Sequence, residues 1–179
     1  MRSERVGGWY HITTRGNEQK AIFRDDRDRA HWCENVGNMA PQFNIAIHAY
    51  VLMDNHYHLL IELREANLSE ALQWLNVSYA AWFNRRHERV GRLFQGRFKS
   101  VAVEPEGWAW ELTRYIHLNP VRTGRLGLDK DQRRADRLGI GEKPLREEVE
   151  QRMEKLRSYR WSSYRGYIGT LKPPAWLTE

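Results

Sequence analysis

Apolar residues recur along this chain with two different periods, and the switches between them lay out its elements. Residues 8–15 alternate, with Tyr10, Ile12 and Thr14 set against Trp9, His11 and Thr13, which is the period of a strand. Arg15-Gly16-Asn17 ends it. Asp25 or Asp26 can cap a helix running to about residue 40, with Trp32, Cys33, Val36 and Met39 on one face and Pro41 as its stop. Residues 44–53 form a second strand. Its two faces, Ile45/Ile47/Ala49/Val51/Met53 and Ala46/His48/Tyr50/Leu52, are both largely apolar, which places it inside a sheet. Asp54-Asn55 reads as a turn, so a third strand over residues 56–63 closes a hairpin.

Asn67 and Glu70 have capping-box spacing and open a second helix, which Leu68, Leu72, Leu75, Tyr79 and Trp82 carry to residue 86. A fourth strand is predicted over residues 93–103. Phe94 and Phe98 fall in one phase and Val101 and Val103 in the other, so a bulge is expected between them. Pro105 opens a third helix bearing Trp108, Leu112, Tyr115 and Ile116, which Pro120 closes. Residues 129–155 are dense in charge and poor in large apolar residues, as in a loop followed by a solvated helix over 145–157. Aromatics return at Tyr159-Arg160-Trp161 and Tyr164-Arg165-Gly166-Tyr167. The order β-α-β-β-α-β-α predicts an α+β fold, an antiparallel sheet with helices packed on one face. The chain is expected to divide into a main domain over 1–126, a charged insertion over 127–158, and a C-terminal aromatic segment over 159–179 that packs on the core.

Composition narrows the function classes. A chain of 179 residues can bury roughly two-thirds of its unfolded surface without disulfides, and its single cysteine, Cys33, allows no internal bridge. Trp32 and Val36 beside it point to a buried thiol, and a reducing, cytoplasmic setting fits. No apolar run approaches the ~20 residues that span a bilayer. The first residues, Met1-Arg2-Ser3-Glu4-Arg5, are not followed by a signal core, so a soluble, unexported protein without a membrane partner is expected. Lys and Arg total 29 against 23 Asp and Glu, and the resulting +6 favours polyanionic partners. Eight Trp, eight Tyr and five Phe, interleaved with Arg, suit stacking on unpaired bases as well as filling a core.

Two segments carry candidate chemistry. In Asp54-Asn55-His56-Tyr57-His58-Leu59-Leu60-Ile61-Glu62, strand alternation turns His56 and His58 to one side. Tyr57, Leu59, Ile61 and Leu63 turn to the other, taken as the helix-covered core. Neutral imidazoles at that spacing can share one metal ion, and they can equally be two surface histidines. In Arg114-Tyr115-Ile116-His117-Leu118-Asn119-Pro120-Val121-Arg122, helical spacing puts Glu111, Tyr115 and Asn119 on one stripe, with Leu112 and Ile116 on the buried side. This stripe could present a nucleophile flanked by metal ligands, although spacing alone reads Tyr115 as a residue at the helix edge. Proline at 120 pushes Asn119 out of helical geometry.

The segments Asn55-His56-Tyr57-His58-Leu59-Leu60 and Tyr115-Ile116-His117-Leu118-Asn119-Pro120-Val121-Arg122 together resemble the REP-associated tyrosine transposases, within the single-tyrosine HUH transposases. Arg15-Gly16-Asn17, Phe94-Gln95-Gly96-Arg97-Phe98-Lys99 and Trp161-Ser162-Ser163-Tyr164-Arg165 match in the same order. The resemblance implies a ferredoxin-like HUH nuclease core, His56 and His58 as ligands of Mg²⁺ or Mn²⁺, Tyr115 as nucleophile and Asn119 as a further ligand. It implies cleavage and rejoining of single-stranded or hairpin DNA through a 5′-phosphotyrosine, by a monomer or homodimer. Arg15, Arg85, Arg86, Arg92, Arg97, Lys99 and Arg122, with His87, Arg89 and Arg125, are the candidate phosphate contacts. The chain departs from the pattern at Tyr57, where an aliphatic residue is usual, and in its long charged stretch over about 128–156. The end, Pro173-Pro174-Ala175-Trp176-Leu177, resembles a point where some relatives continue. Competing readings are a hairpin-binding module without catalysis, a replication or transfer nicking enzyme of the same chemistry, and a metal-free RNA nuclease.

Overall fold

Tyr10, Ile12 and Thr14 are buried while Trp9, His11 and Thr13 are less so, and this alternation makes β1 (Trp9–Arg15). The structure, a computed structural model, describes residues 4–122 and 143–178, with Leu126, Asp131, Arg134, Ala135 and Leu138 between them. Asp25 caps α1 (Asp26–Gln42) by accepting from the Asp28 N–H, and Pro41 lies inside the last turn rather than before it. β2 (Ile45–Met53) and β3 (His56–Leu63) form the expected hairpin. α2 (Leu68–Arg86) follows, but the predicted capping box does not form: Asn67 Oδ1 accepts no N–H of the first turn, and its amide nitrogen donates to the Phe43 carbonyl.

The four strands are ordered β2-β3-β1-β4 and are all antiparallel, where β4 is Lys99–Val103. This α+β arrangement agrees with the predicted class, with three differences. First, β2 is an edge strand, not an interior one. Its outer edge is covered by the C-terminal segment, where Leu52 N–H donates to Trp161 O, Ser163 N–H to Tyr50 O and Thr178 N–H to Ile47 O. Backbone groups that a central strand would give to a neighbour are satisfied there. Second, a bulge between Ile47 and Ala49 reverses the phase of β2. Ile45, Ile47, Tyr50 and Leu52 therefore join the main core, while Ala49 and Val51 face the other way. Third, residues 93–98 leave the ladder. Thr13 faces Lys99 but Gly16 faces Phe94, three steps on one chain against five on the other. The two extra residues let Leu93, Phe94 and Phe98 all turn into the core.

Helices cover both faces of the sheet. α1 and α2 bury Trp32, Val36, Met39, Leu72, Leu75 and Tyr79 against Ile12, Tyr57, Leu59 and Ile61. α3 (Pro105–His117) crosses the opposite face, where Ile116 packs on Ala49, Val51 and Leu60. The one-face arrangement expected from sequence thus holds for the two long helices, and the tyrosine helix lies on the second face. α4 (Arg146–Ser158) opens with the Glu148 carboxylate accepting from the Leu145 N–H, and α5 (Tyr164–Tyr167) is a single turn. Among the described residues no helix is long and apolar enough to cross a membrane.

Tyr57 occupies the centre of the main core with no exposed surface. Its hydroxyl accepts from Thr14 Oγ1 at 3.0 Å and donates to Asn76 Oδ1 at 2.7 Å. Burial without those partners would cost about 1–3 kcal/mol. Tyr57→Phe is therefore expected to lower unfolding free energy by about 1–2 kcal/mol in urea denaturation. An unchanged midpoint would show that the hydroxyl contributes nothing.

Candidate active site

Because Tyr57 is drawn into the core, His56 and His58 stand on the opposite face of β3, beneath α3. Strand register completes the surroundings. Thr13 lies opposite His58, Arg15 opposite His56, and Lys99 on β4 opposite Thr13. One row across the sheet thus reads Lys99, Thr13, His58 on a single face.

Ile116 seats α3 on the sheet and turns the adjacent Tyr115 toward this row. The Tyr115 ring meets His58 edge-on at 5.7 Å between centroids and His11 at 5.9 Å, and it keeps 37% of its surface exposed. The Arg122 guanidinium lies over the same ring, 4.0 Å from its centroid. Asn119 leaves the α-helix for a 3-10 turn, Asn119–Val121, as a residue before proline should. Its amide nitrogen donates to the carbonyls of Tyr115 (2.9 Å) and Ile116 (3.3 Å), capping α3 and leaving its Oδ1 as the atom available to a cation. Glu111, on the same predicted stripe, is turned to Arg114 at 3.0 Å.

His11 was not among the predicted site residues. Its Nε2 lies 2.9 Å from His58 Nδ1, and Thr13 Oγ1 lies 3.1 Å from the same nitrogen. The available signal was its place in phase with Thr13 on a strand, but only the cross-strand register brings it to His58. Burial depresses all three imidazoles. His58 falls to about 2, from desolvation first and then the positive charge of His11, His56, Arg122 and Arg15. His56 falls to about 4 from desolvation and Arg15, and His11 is lowered by desolvation. All three are neutral near pH 7, the state in which an imidazole nitrogen can ligate a metal. Among the described residues no group of three His, Cys, Asp or Glu is arranged to hold an ion. Of the predicted ligands, His56 and His58 share this face of β3, and Asn119 stands at the end of α3.

The structure gathers some candidate phosphate contacts and disperses others. Arg15, Lys99 and Arg122 belong to the histidine face. Arg86 is committed to Asp25 at 2.7 Å and to the buried Asp28, which also takes His87 at 2.9 Å. Arg92 and Arg97 line a separate groove of about 1110 Å³ between α2 and the 92–98 loop. Arg85 is exposed at the end of α2, and Arg89 bonds Asn84. Arg125 lies outside the described residues.

The C-terminal segment fastens the tyrosine helix. His117 Nε2 lies 2.7 Å from Ser163 Oγ, which also binds the Tyr50 backbone, and the rings of Tyr164 and Tyr167 flank the imidazole at 5.6 and 5.0 Å. Burial pushes His117 down to about 4.

The family model described as "Transposase IS200 like" matches residues 5–119. No curated protein matches the chain. Among solved structures, the REP-associated tyrosine transposase bound to a REP hairpin aligns with a TM-score of 0.64 at 15% identity, over 100% of this chain and 90% of that one. At that identity the likeness shows the fold. A putative transposase from Deinococcus radiodurans aligns with a TM-score of 0.47 at 17% identity, over 65% of this chain and 95% of that one. The tRNA(His) guanylyltransferase of Saccharomyces cerevisiae gives 0.48 at 8%, over 97% and 85%.

The His117 clamp predicts a pH dependence. Its folded pKa of about 4 lies below the ordinary 6.5, so protons bind preferentially to the unfolded chain. The stability contributed is fully present above pH 6.5 and is lost as pH falls toward 4, amounting to about 3 kcal/mol. His117→Gln should flatten that part of the stability–pH curve by about this amount in urea unfolding. An unaltered slope between pH 6.5 and 4 would place the titration elsewhere.

Proposed function

The chain belongs to the IS200-like transposase family, and on that premise we propose that it cuts and rejoins single-stranded DNA at hairpins, with Tyr115 as nucleophile. The observation that carries this reading is the packing of a half-exposed Tyr115 ring on neutral His58, under the Arg122 guanidinium. His56, Arg15 and Lys99 on the same face support it. A hairpin substrate is supported by the REP hairpin bound to the transposase of like fold.

His56 and His58, with Asn119 through its amide oxygen, would hold Mg²⁺ or Mn²⁺. That ion would supply Lewis-acid polarisation of the scissile phosphate. The side chains do the rest. Arg15 and Lys99 bind phosphates and align the strand along the row of His58 and Thr13. Tyr115 Oη attacks phosphorus, its proton passing to water, as the bond from phosphorus to the 3′ oxygen breaks. The leaving oxygen takes up a proton and becomes a free 3′-hydroxyl, while the 5′ phosphate remains on Tyr115. Arg122 holds the ring in place and sets positive charge beside the phenol as it becomes an anion. The phosphotyrosine conserves the bond energy, so attack by a second 3′-hydroxyl reverses the step and joins DNA.

A hairpin with a single-stranded flank, labelled at its 3′ end, should give a covalent protein–DNA band with Mn²⁺ on a denaturing gel. Tyr115→Phe should lower its formation by at least about 10³-fold, and EDTA should abolish it. His58→Ala should do the same as EDTA while hairpin binding changes little. Tight binding without cleavage across several hairpins and both metals would leave a DNA-binding module in place of an enzyme.

A further inference from the structure

Beside the catalytic row the sheet ends at β4, and α3 overhangs that edge. Between them lies a slot of about 440 Å³ walled by His11, Val101, Val103, Leu112 and Trp108, with Glu104 at its rim. Trp108 is 67% exposed and Val101 is 60% exposed. Together they leave a contiguous apolar surface open to solvent beside the site, the kind of surface that marks a binding groove.

Three observations point to the occupant. Trp108, Leu112 and Tyr115 follow helical spacing i, i+4, i+7, so slot and nucleophile share one stripe of α3. Seven residues of helix put them about 10 Å apart along the axis, the reach of one to two nucleotides of an extended strand. The slot also shares a wall with the site, since His11 lines it and contacts both His58 and Tyr115. Finally, the charge is arranged for an anionic backbone with an uncharged base. Lys99 lies two residues from Val101 on the same face, with Arg15 beyond it on β1, whereas the slot itself is apolar and its rim carries a carboxylate. Glu104 repels phosphate and accepts from an exocyclic amino group.

We propose that this slot is a subsite for an unpaired nucleobase next to the scissile phosphate, stacked on Trp108. The proposal rests on the strand-cleaving reading above and adds where the flank of the hairpin is held. Stacking on an indole tolerates every base, because each has a π face, and the Glu104 rim favours bases bearing an amino group over thymine.

The test measures affinity for a hairpin whose single-stranded flank carries one abasic site, moved position by position, against the intact oligonucleotide. At one flank position the wild-type protein should lose about 5- to 150-fold in affinity. Trp108→Ala should bind the intact and abasic forms alike, Trp108→Phe should recover part of the difference, and Trp110→Ala, outside the slot, should behave as wild type. An abasic penalty unchanged by Trp108→Ala, or absent at every position, overturns the proposal. So does a dimer that Trp108→Ala converts to monomer in sedimentation with the penalty intact, because the slot would then seat a second copy. A covalent band on the same oligonucleotides without base dependence sinks the subsite alone, whereas failure of wild type to bind any hairpin sinks the cleavage reading with it.

Discussion

Tyr57 accepts a hydrogen bond from Thr14 and donates one to Asn76 while wholly buried, and the rest of the site is arranged around that anchor. Side chains alternate along a strand, so a buried Tyr57 obliges His56 and His58 to share the other face. A register slip of one residue between β1 and β3 would expose Leu59 and Ile61 and bury both histidines in the main core. The same register sets Thr13 and Arg15 opposite the pair. The aromatic substitution at the middle of the His-Tyr-His triplet thus strengthens the phase of β3, adding two hydrogen bonds to what an aliphatic residue would provide by burial alone.

The two faces of the sheet are unequal, and Tyr115 rides on the weaker one. Against the large core under α1 and α2, α3 is held by a cluster of Ala49, Val51, Leu60 and Ile116, with Leu112, Met53, Trp9 and Tyr159 packed around it. Polar contacts make up the difference. Ser163 ties His117 to the Tyr50 backbone, and Tyr159 Oη donates to the Leu52 carbonyl at 2.5 Å. The aromatic Trp-Ser-Ser-Tyr segment therefore does two jobs: it shields the free edge of β2 and fixes the end of the helix that delivers Tyr115. An element fastened by a few directional bonds rather than a broad apolar face sits at the low-stability end of a fold, where parts that must readjust to a substrate belong.

Elements with a strong single period were legible in the sequence. Both long helices, the hairpin and the separation of Tyr57 from its flanking histidines follow from alternation and helical spacing alone. What escaped depends on relations between distant segments. The bulge at His48 breaks the phase of β2 where both faces are apolar, so the pattern contains no mark of it. The edge position of β2 was hidden for the same reason, since a C-terminal segment more than a hundred residues away supplies the cover. Asn67 has the spacing of a cap but finds a carbonyl at Phe43 instead. His11 read as one more strand residue, and Arg86 as a free cation, until register and tertiary packing gave each its partner.

The electrostatics of the face follow from these placements. Desolvation keeps His11, His56 and His58 neutral, so the histidines contribute lone pairs and not charge. Positive charge on this face comes from Arg15, Arg122 and Lys99. On the proposed strand-cleaving reading, that division would serve phosphoryl chemistry. Neutral imidazoles could ligate a cation without first shedding protons, while the cationic side chains would attract the backbone and steady the oxyanions that form. Protonating the histidines would add charge to a face already basic and remove the lone pairs, so the burial imposed by α3 is what keeps the two roles on separate residues.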